Sequence, residues 1–250
     1  MTTRQPLDII QAINDPLQLV GSVFYFTPET KAAAKAKFGI DGFRNYFVGR
    51  GGVLGDVDAD VVTSAFGYFA PGLVRNLWTS GVERIAPHTP REVARELFNS
   101  AYEYARAHFG GIDGLAEFAE AGAAVAAAVD PAALALFAGV RAEPAPDDAP
   151  AAAMHEAIVL RELRGSVHLV AVVAAGLTPA IAHAIRRPTE TEMFGYAADA
   201  AALVTDEQRA AWERAEALTD ELLVPAFSTL SPAQGDALVA GAHAMLAALG

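Results

Sequence analysis

The sequence predicts an all-α protein, or one nearly so, and three observations carry that prediction. No stretch sustains the period-two alternation that marks a half-buried strand. Helix-start signals recur: Thr27-Pro28, Thr89-Pro90, Thr178-Pro179 and Ser231-Pro232 each set a hydroxyl acceptor at an N-cap and a proline at the first helical position. Hydrophobic residues make up 53% of the 250-residue chain, enough apolar surface for a packed helical core.

The elements follow in order. Leu7 to Phe26 reads as a first helix, bent near Asp15-Pro16. Thr27 caps a second, Glu29 to Phe38, which stops at Gly39. A short aromatic segment, Gly42 to Arg50, leads into the glycine-rich turn Gly51-Gly52-Val53-Leu54-Gly55. Those glycines permit positive φ and close backbone approach. Asp58 or Asp60 caps a helix from Val61 to Phe69, kinked at Pro71 and continuing to Trp78. Thr89 opens a helix to His108, ended by Gly110-Gly111. Leu115 to Val129 is helical, and Asp130-Pro131 restarts a helix to Phe137. A long central helix covers Ala151 to Ala175, and Thr178 opens a short one to Arg187. Pro188 to Ala198 reads as a loop. Thr205-Asp206-Glu207 caps a long helix to Val224, and Ser231 opens the last, to Leu249.

Ala142 to Pro150 holds three prolines and two aspartates and is the clearest linker. It divides the chain into an N-terminal helical domain, 1–141, and a C-terminal one, 151–250, or joins them as one continuous domain. No internal repeat is obvious, and a bundle of two pseudo-repeated halves stays open.

The central helix holds the sharpest pattern. At about 100° per residue, Arg161, Arg164, Gly165 and His168 fall on one stripe. Leu160, Leu163, Val167 and Val170 fall on the other side. The helix then runs on as Leu169 to Ala175, apolar all round, which predicts burial. Charged groups on such a helix must be paired or face a cavity. Gly165 omits a side chain in mid-stripe and leaves room for something to approach.

Composition excludes several classes. The absence of cysteine rules out disulfides, thiolate metal sites and a cysteine nucleophile. A net charge of −12 opposes non-specific nucleic-acid binding. Met1 to Asp8 lacks the basic flank and apolar run of a signal peptide, and Leu169 to Ala175 is too short to span a bilayer. The expectation is a soluble cytoplasmic protein without membrane association.

Several segments occur together in one order. They are Phe24-Tyr25-Phe26-Thr27-Pro28-Glu29, Tyr46 to Gly55, Val62 to Phe66 with Phe69-Ala70-Pro71, Leu160 to His168, and Thr219-Asp220 with Pro225. Over about residues 16 to 230 they resemble an actinobacterial family labelled helix-turn-helix or MarR-like. In that pattern Val53 stands at a proline, and Ser166-Val167 stand where Leu-Arg-Glu-x-Arg-Gly-Asp-Gly-His has Asp-Gly. The resemblance implies a helix-turn-helix or winged-helix-like bundle, no particular chemistry, and no carboxylate role at position 166.

Function must come from sites. Arg161, Arg164 and His168 read either as a pocket for an acidic ligand, with the arginines as forked donors, or as a buried ion-pair network. Glu162, Glu156 and Asp220 are the candidate counter-charges. Arg50 among its glycines reads as an anion cradle or as a tight interhelix turn. No P-loop Lys-Ser/Thr follows it, and no strand precedes it as a dinucleotide fingerprint requires. Aromatics crowd the first third (Tyr25, Phe26, Phe43, Tyr46, Phe47, Phe66, Tyr68 and Phe69) and read either as ordinary core or as an aromatic wall around an organic ligand, with Tyr25 and Tyr46 placed in the pocket. His155 and His168 are thirteen residues apart, too far to chelate one ion, so no metal is expected. No nucleophile motif is present. Glu207 to Glu221 reads as a solvated face.

The favoured reading is a regulatory protein that binds a small acidic or aromatic molecule in a pocket of Arg50, Arg161, Arg164, His168, Tyr25 and Tyr46. A DNA-binding transcriptional regulator is one alternative. An enzyme using the same pocket, with His168 as general base, is another. No cofactor is specified, and the sequence leaves room for a homodimer.

Overall fold

The computed structural model describes residues 4–250; Met1 to Thr3, the start of the polar N-terminal stretch, lie outside the described residues. Among the described residues the chain forms twelve α-helices and two short 3-10 turns, with no β-strand. The helices are α1 (Pro6–Val20), α2 (Pro28–Phe38), α3 (Gly42–Gly51), α4 (Ala59–Phe66), α5 (Pro71–Ile85) and α6 (Pro90–Phe109). They continue as α7 (Leu115–Ala127), α8 (Ala135–Arg141), α9 (Ala149–Ala174), α10 (Pro179–Arg186), α11 (Asp206–Phe227) and α12 (Pro232–Ala247). Thr27, Thr89, Asp148, Thr178, Thr205 and Ser231 each accept the backbone N–H three residues on. Each cap satisfies one of the donors that a helix start leaves orphaned.

Four boundaries differ from the sequence expectation. The first helix ends at Val20, not Phe26, and runs through Pro16. The aromatic segment after Gly39 closes into α3. The helix expected to kink at Pro71 is two helices, because Gly67 at φ 48° ends α4 before Pro71 starts α5. Pro131 does not open α8; Ala133 adopts φ 65°, and the helix begins at Ala135.

Helix α9 is the axis of the molecule. It packs against α1, α6, α7, α8 and α11. The burial runs opposite to expectation. Its first half is enclosed nearly all round, from Ala151 to Leu163. The apolar run that follows is only half covered, with Val170 and Val173 exposed. Ala171 and Val172 of that run are buried in a small cluster with Leu177, Ala182, Ala211 and Ala215, and Ala175 packs against it. A larger core cluster extends from Ile9 to Met245, on both sides of 142–150. That connection is pinned: Arg91 and Arg95 both bond the buried Glu143 carboxylate, and Arg106 bonds Asp148. No single helix among the described residues is long and apolar enough to cross a membrane.

Glu156 is the oddest residue of this core. It is buried against α7 where Gly122 makes space, since a Cβ on Gly122 would meet Glu156 Cβ at 2.8 Å. Its Oε2 has no hydrogen-bond partner, and burial pushes its carboxyl from 4.5 up to about 7. A raised folded pKa means stability that is present below the unfolded value and lost as pH rises through the folded one. Glu156→Gln is therefore expected to change little at pH 5. At pH 8 it should stabilise the fold by about 2 kcal/mol relative to wild type. Urea denaturation at the two pH values measures this, and equal effects at both would refute it.

Candidate functional site

The stripe on α9 faces a cavity of about 390 Å³, with Arg161, Arg164, Gly165 and His168 in its wall. The turn after α1 adds Tyr25, and α3 adds Tyr46 and Arg50. All six residues expected at a ligand pocket therefore line one space. Its volume lies in the range of small-molecule sites. A Cβ built on Gly165 meets nothing within 4 Å, so the missing side chain does leave open space. Although the chain is acidic overall, five arginines and two glutamates line the cavity.

Two of those arginines share one carboxylate. Arg50 forks onto Glu162, Nε to Oε1 at 2.8 Å and Nη2 to Oε2 at 2.7 Å. Arg161 Nη1 donates to the same Oε1 at 2.8 Å. Burial alone would raise the Glu162 carboxyl, but the two guanidiniums hold it below the usual carboxylate range. The triad keeps one positive charge in excess. Aromatic faces partly stabilise that charge: Arg50 lies over Phe66 at 4.6 Å and Arg161 over Tyr25 at 5.6 Å. One turn along, Arg164 Nη2 donates to Glu216 Oε2 at 2.7 Å, with Asp220 at 3.9 Å. The Nε atoms of Arg161 and Arg164 are buried without partners.

His168 sits deeper, 6% exposed, stacked on Tyr68 with ring centroids 6.1 Å apart and met edge-on by Trp212 at 4.8 Å. Its Nδ1 lies 2.8 Å from Thr219 Oγ1. Burial lowers its pKa to about 4, so the ring is neutral at pH 7. At the far side, Phe194 stacks between Phe69 (4.2 Å) and His183 (3.9 Å), and its carbonyl accepts the Ala70 N–H. These contacts fasten the segment after α10 over the cavity.

The arginines of the stripe are ion-paired and also border a cavity. Of the candidate counter-charges, Glu162 and Asp220 meet arginines, whereas Glu156 meets none. The run Glu207 to Glu221 is not simply a solvated face. Trp212 and Glu216 line the cavity, and Thr219 meets His168 from the same helix face. Their spacing, with Leu223, is one helical stripe and was legible as such. The glycines around Arg50 form no anion cradle. Gly49, Gly51 and Gly52 are helical or in the 3-10 turn after α3, and only Gly55 has positive φ. They are small because neighbours press close: a Cβ on Gly49 would meet Leu97 at 2.6 Å, and one on Gly52 would meet the Pro90 carbonyl at 2.0 Å. Of the aromatics of the first third, Tyr25, Phe26, Phe43, Tyr46, Phe66, Tyr68 and Phe69 line the cavity, and Tyr25, Tyr46, Phe47, Phe66 and Phe69 also belong to the main core. His155 lies elsewhere, bonded to Tyr102 at 2.8 Å. No group of three or more potential metal ligands is gathered among the described residues.

A sequence model described as a helix-turn-helix family matches residues 10–202, which includes every cavity-lining residue except Trp212 and Glu216. No curated protein and no solved structure matches the chain.

Proposed function

The chain belongs to the helix-turn-helix family matched over residues 10–202, and we propose that it is a small-molecule-binding member that takes a planar organic anion into the arginine-lined cavity. One observation carries this reading. Seven buried side-chain nitrogen and oxygen atoms among the described residues lack a hydrogen-bond partner, and six belong to residues lining this cavity: Asn14, Tyr68, Arg161, Arg164, His168 and His183. Buried polar groups are ordinarily satisfied, because each orphan costs about 1–3 kcal/mol. Their concentration in one aromatic-walled space, beside a triad with excess positive charge, suits a ligand with a flat apolar body and a negative end.

The arrangement also bears on the regulatory alternative. Helices α2 and α3, joined by Gly39-Ile40-Asp41, have the short glycine-containing turn of a helix-turn-helix unit. A DNA-reading unit presents its second helix to the major groove. Here α3 packs against α5 and α6 and buries Asn45, Tyr46, Phe47, Val48, Gly49 and Gly51. The net charge of −12 opposes duplex binding as well. The same helix carries Tyr46 and Arg50 into the cavity wall, so a bound anion would act directly on this unit.

The test uses 2-naphthoate as probe. Calorimetric titration is expected to show saturable binding to the wild-type protein. Gly165→Leu fills the open space beside Arg164, and the helix should gain roughly 0.5–1 kcal/mol from losing a glycine. Its melting temperature should hold or rise while 2-naphthoate binding falls at least about tenfold. Unchanged binding in a folded Gly165→Leu protein would place the probe elsewhere and overturn the reading, as would no binding to wild type.

A further inference from the structure

We propose that the ligand of this cavity presents a hydroxyl donor to an acceptor pair formed by His168 Nε2 and Glu216 Oε1, which makes the site selective for hydroxylated aromatic acids. This deepens the anion-binding reading and rests on it.

The argument starts from one proton. Thr219 has a single hydroxyl hydrogen, and it goes to the Ala215 carbonyl at 2.7 Å, the backward bond that a helical threonine makes. Thr219 Oγ1 can then only accept from His168, at 2.8 Å. The ring hydrogen therefore sits on Nδ1, and the neutral imidazole turns a lone pair outward at Nε2. Burial favours that neutral form. The charged groups around the ring divide, with Glu216 raising the pKa and Arg164 and Arg186 lowering it further.

His168 Nε2 is buried and has no hydrogen-bond partner. The nearest acidic atom, Glu216 Oε1, is 3.7 Å away, too far for a hydrogen bond, and it is itself an acceptor. No protein donor reaches Nε2: Arg164 Nη2 is bonded to Glu216 Oε2, and the ring of Tyr68, whose hydroxyl bonds nothing, lies nearly parallel to the imidazole. Two acceptors 3.7 Å apart, on residues that both line the cavity, ask for a donor between them. A cationic donor is disfavoured by the surplus of arginine, whereas a phenolic hydroxyl suits a cavity walled by aromatic rings. Arg161, in the triad with the surplus positive charge, and His168 are seven residues apart on α9, about 10 Å along the helix axis. The ligand's negative group and its hydroxyl thus sit at opposite ends of one aromatic body.

Three probes of nearly one shape test this: 2-naphthoate, 6-hydroxy-2-naphthoate and 6-methoxy-2-naphthoate, the last an acceptor without a donor. Calorimetry on the wild-type protein is expected to rank the hydroxyl compound at least about tenfold tighter than either other, because only it satisfies the buried His168 Nε2. In His168→Phe, which keeps an aromatic ring and removes Nε2, the ranking of the three probes should collapse to within about twofold. Thr219→Val is the second variant. It leaves the cavity wall intact but frees the imidazole tautomer, and should weaken the preference alone. Equal affinities for the three probes in wild type would overturn the inference and leave the anion reading standing. A hydroxyl preference that persists in both variants would also overturn it. Binding of none of the three would overturn both.

Discussion

Glu162→Gln is expected to be the most destabilising single substitution at this site, lowering the melting temperature by roughly ten degrees or more. Glu162 is 1% exposed and is the only carboxylate within salt-bridge reach of Arg50 and Arg161 among the described residues. A glutamine keeps the shape and one acceptor oxygen, but it removes the charge and strands two buried guanidiniums. Breaking a buried pair in this way costs about 3–5 kcal/mol. In a chain of this length each kcal/mol is worth roughly 2–4 °C. Glu213→Gln, on the exposed face of α11, is the control and should stay within about 0.5 kcal/mol. Differential scanning calorimetry decides; a Glu162→Gln change no larger than the control would mean that the triad is not a structural charge cluster.

The same variant carries a second expectation. With Glu162 neutral the cavity wall holds two uncompensated guanidiniums, and an organic anion becomes their counter-charge. Saturating 2-naphthoate should therefore raise the melting temperature of Glu162→Gln more than that of the wild type. Ligand stabilisation scales with affinity for the folded state alone, so the difference reads directly as tighter binding.

How much of this was legible beforehand divides along a physical line. N-caps are written within four residues, and the hydroxyls at Thr27, Thr89, Thr178, Thr205 and Ser231 were readable for that reason. The stripe Arg161–Arg164–Gly165–His168 was readable because helical period is local. What completes the site is not local. Arg50 reaches Glu162 across 112 residues, Arg164 reaches Glu216 across 52, and His168 reaches Thr219 across 51. A single sequence shows such residues as types and cannot show them as neighbours. The α11 residues were visible as charge on a helix, and charge on a helix usually means solvent. The glycines near Arg50 misled differently. Glycine serves both positive φ and close approach, and composition alone does not separate the two. The burial of α9 also depends on what surrounds it, so an apolar run at its C-terminal end, half uncovered at Val170 and Val173, read as core.

Arg164→Met should behave in the opposite way to Glu162→Gln, sparing the fold and removing binding. Arg164 is 15% exposed, but its partner Glu216 is 34% exposed at the cavity mouth and can take water once the guanidinium is gone. Methionine fills the space of the arginine stem, and the expected stability loss is only about 1–2 kcal/mol. Binding suffers twice. The buried Nε donor beside the cavity disappears, and Glu216, no longer neutralised, repels an incoming carboxylate. Affinity for 2-naphthoate should fall about a hundredfold or more, as when one partner of a buried charge pair is truncated. Arg164 also lowers the His168 pKa while Glu216 raises it, so the variant should move the His168 titration upward, which histidine NMR can follow. Adding Glu216→Gln to Arg164→Met should recover part of the affinity by removing the repulsion. Were Arg164→Met instead to unfold as readily as Glu162→Gln and bind 2-naphthoate as well as the wild type, Arg164 would be a strut between α9 and α11 and the cavity would have lost its anion-binding residue.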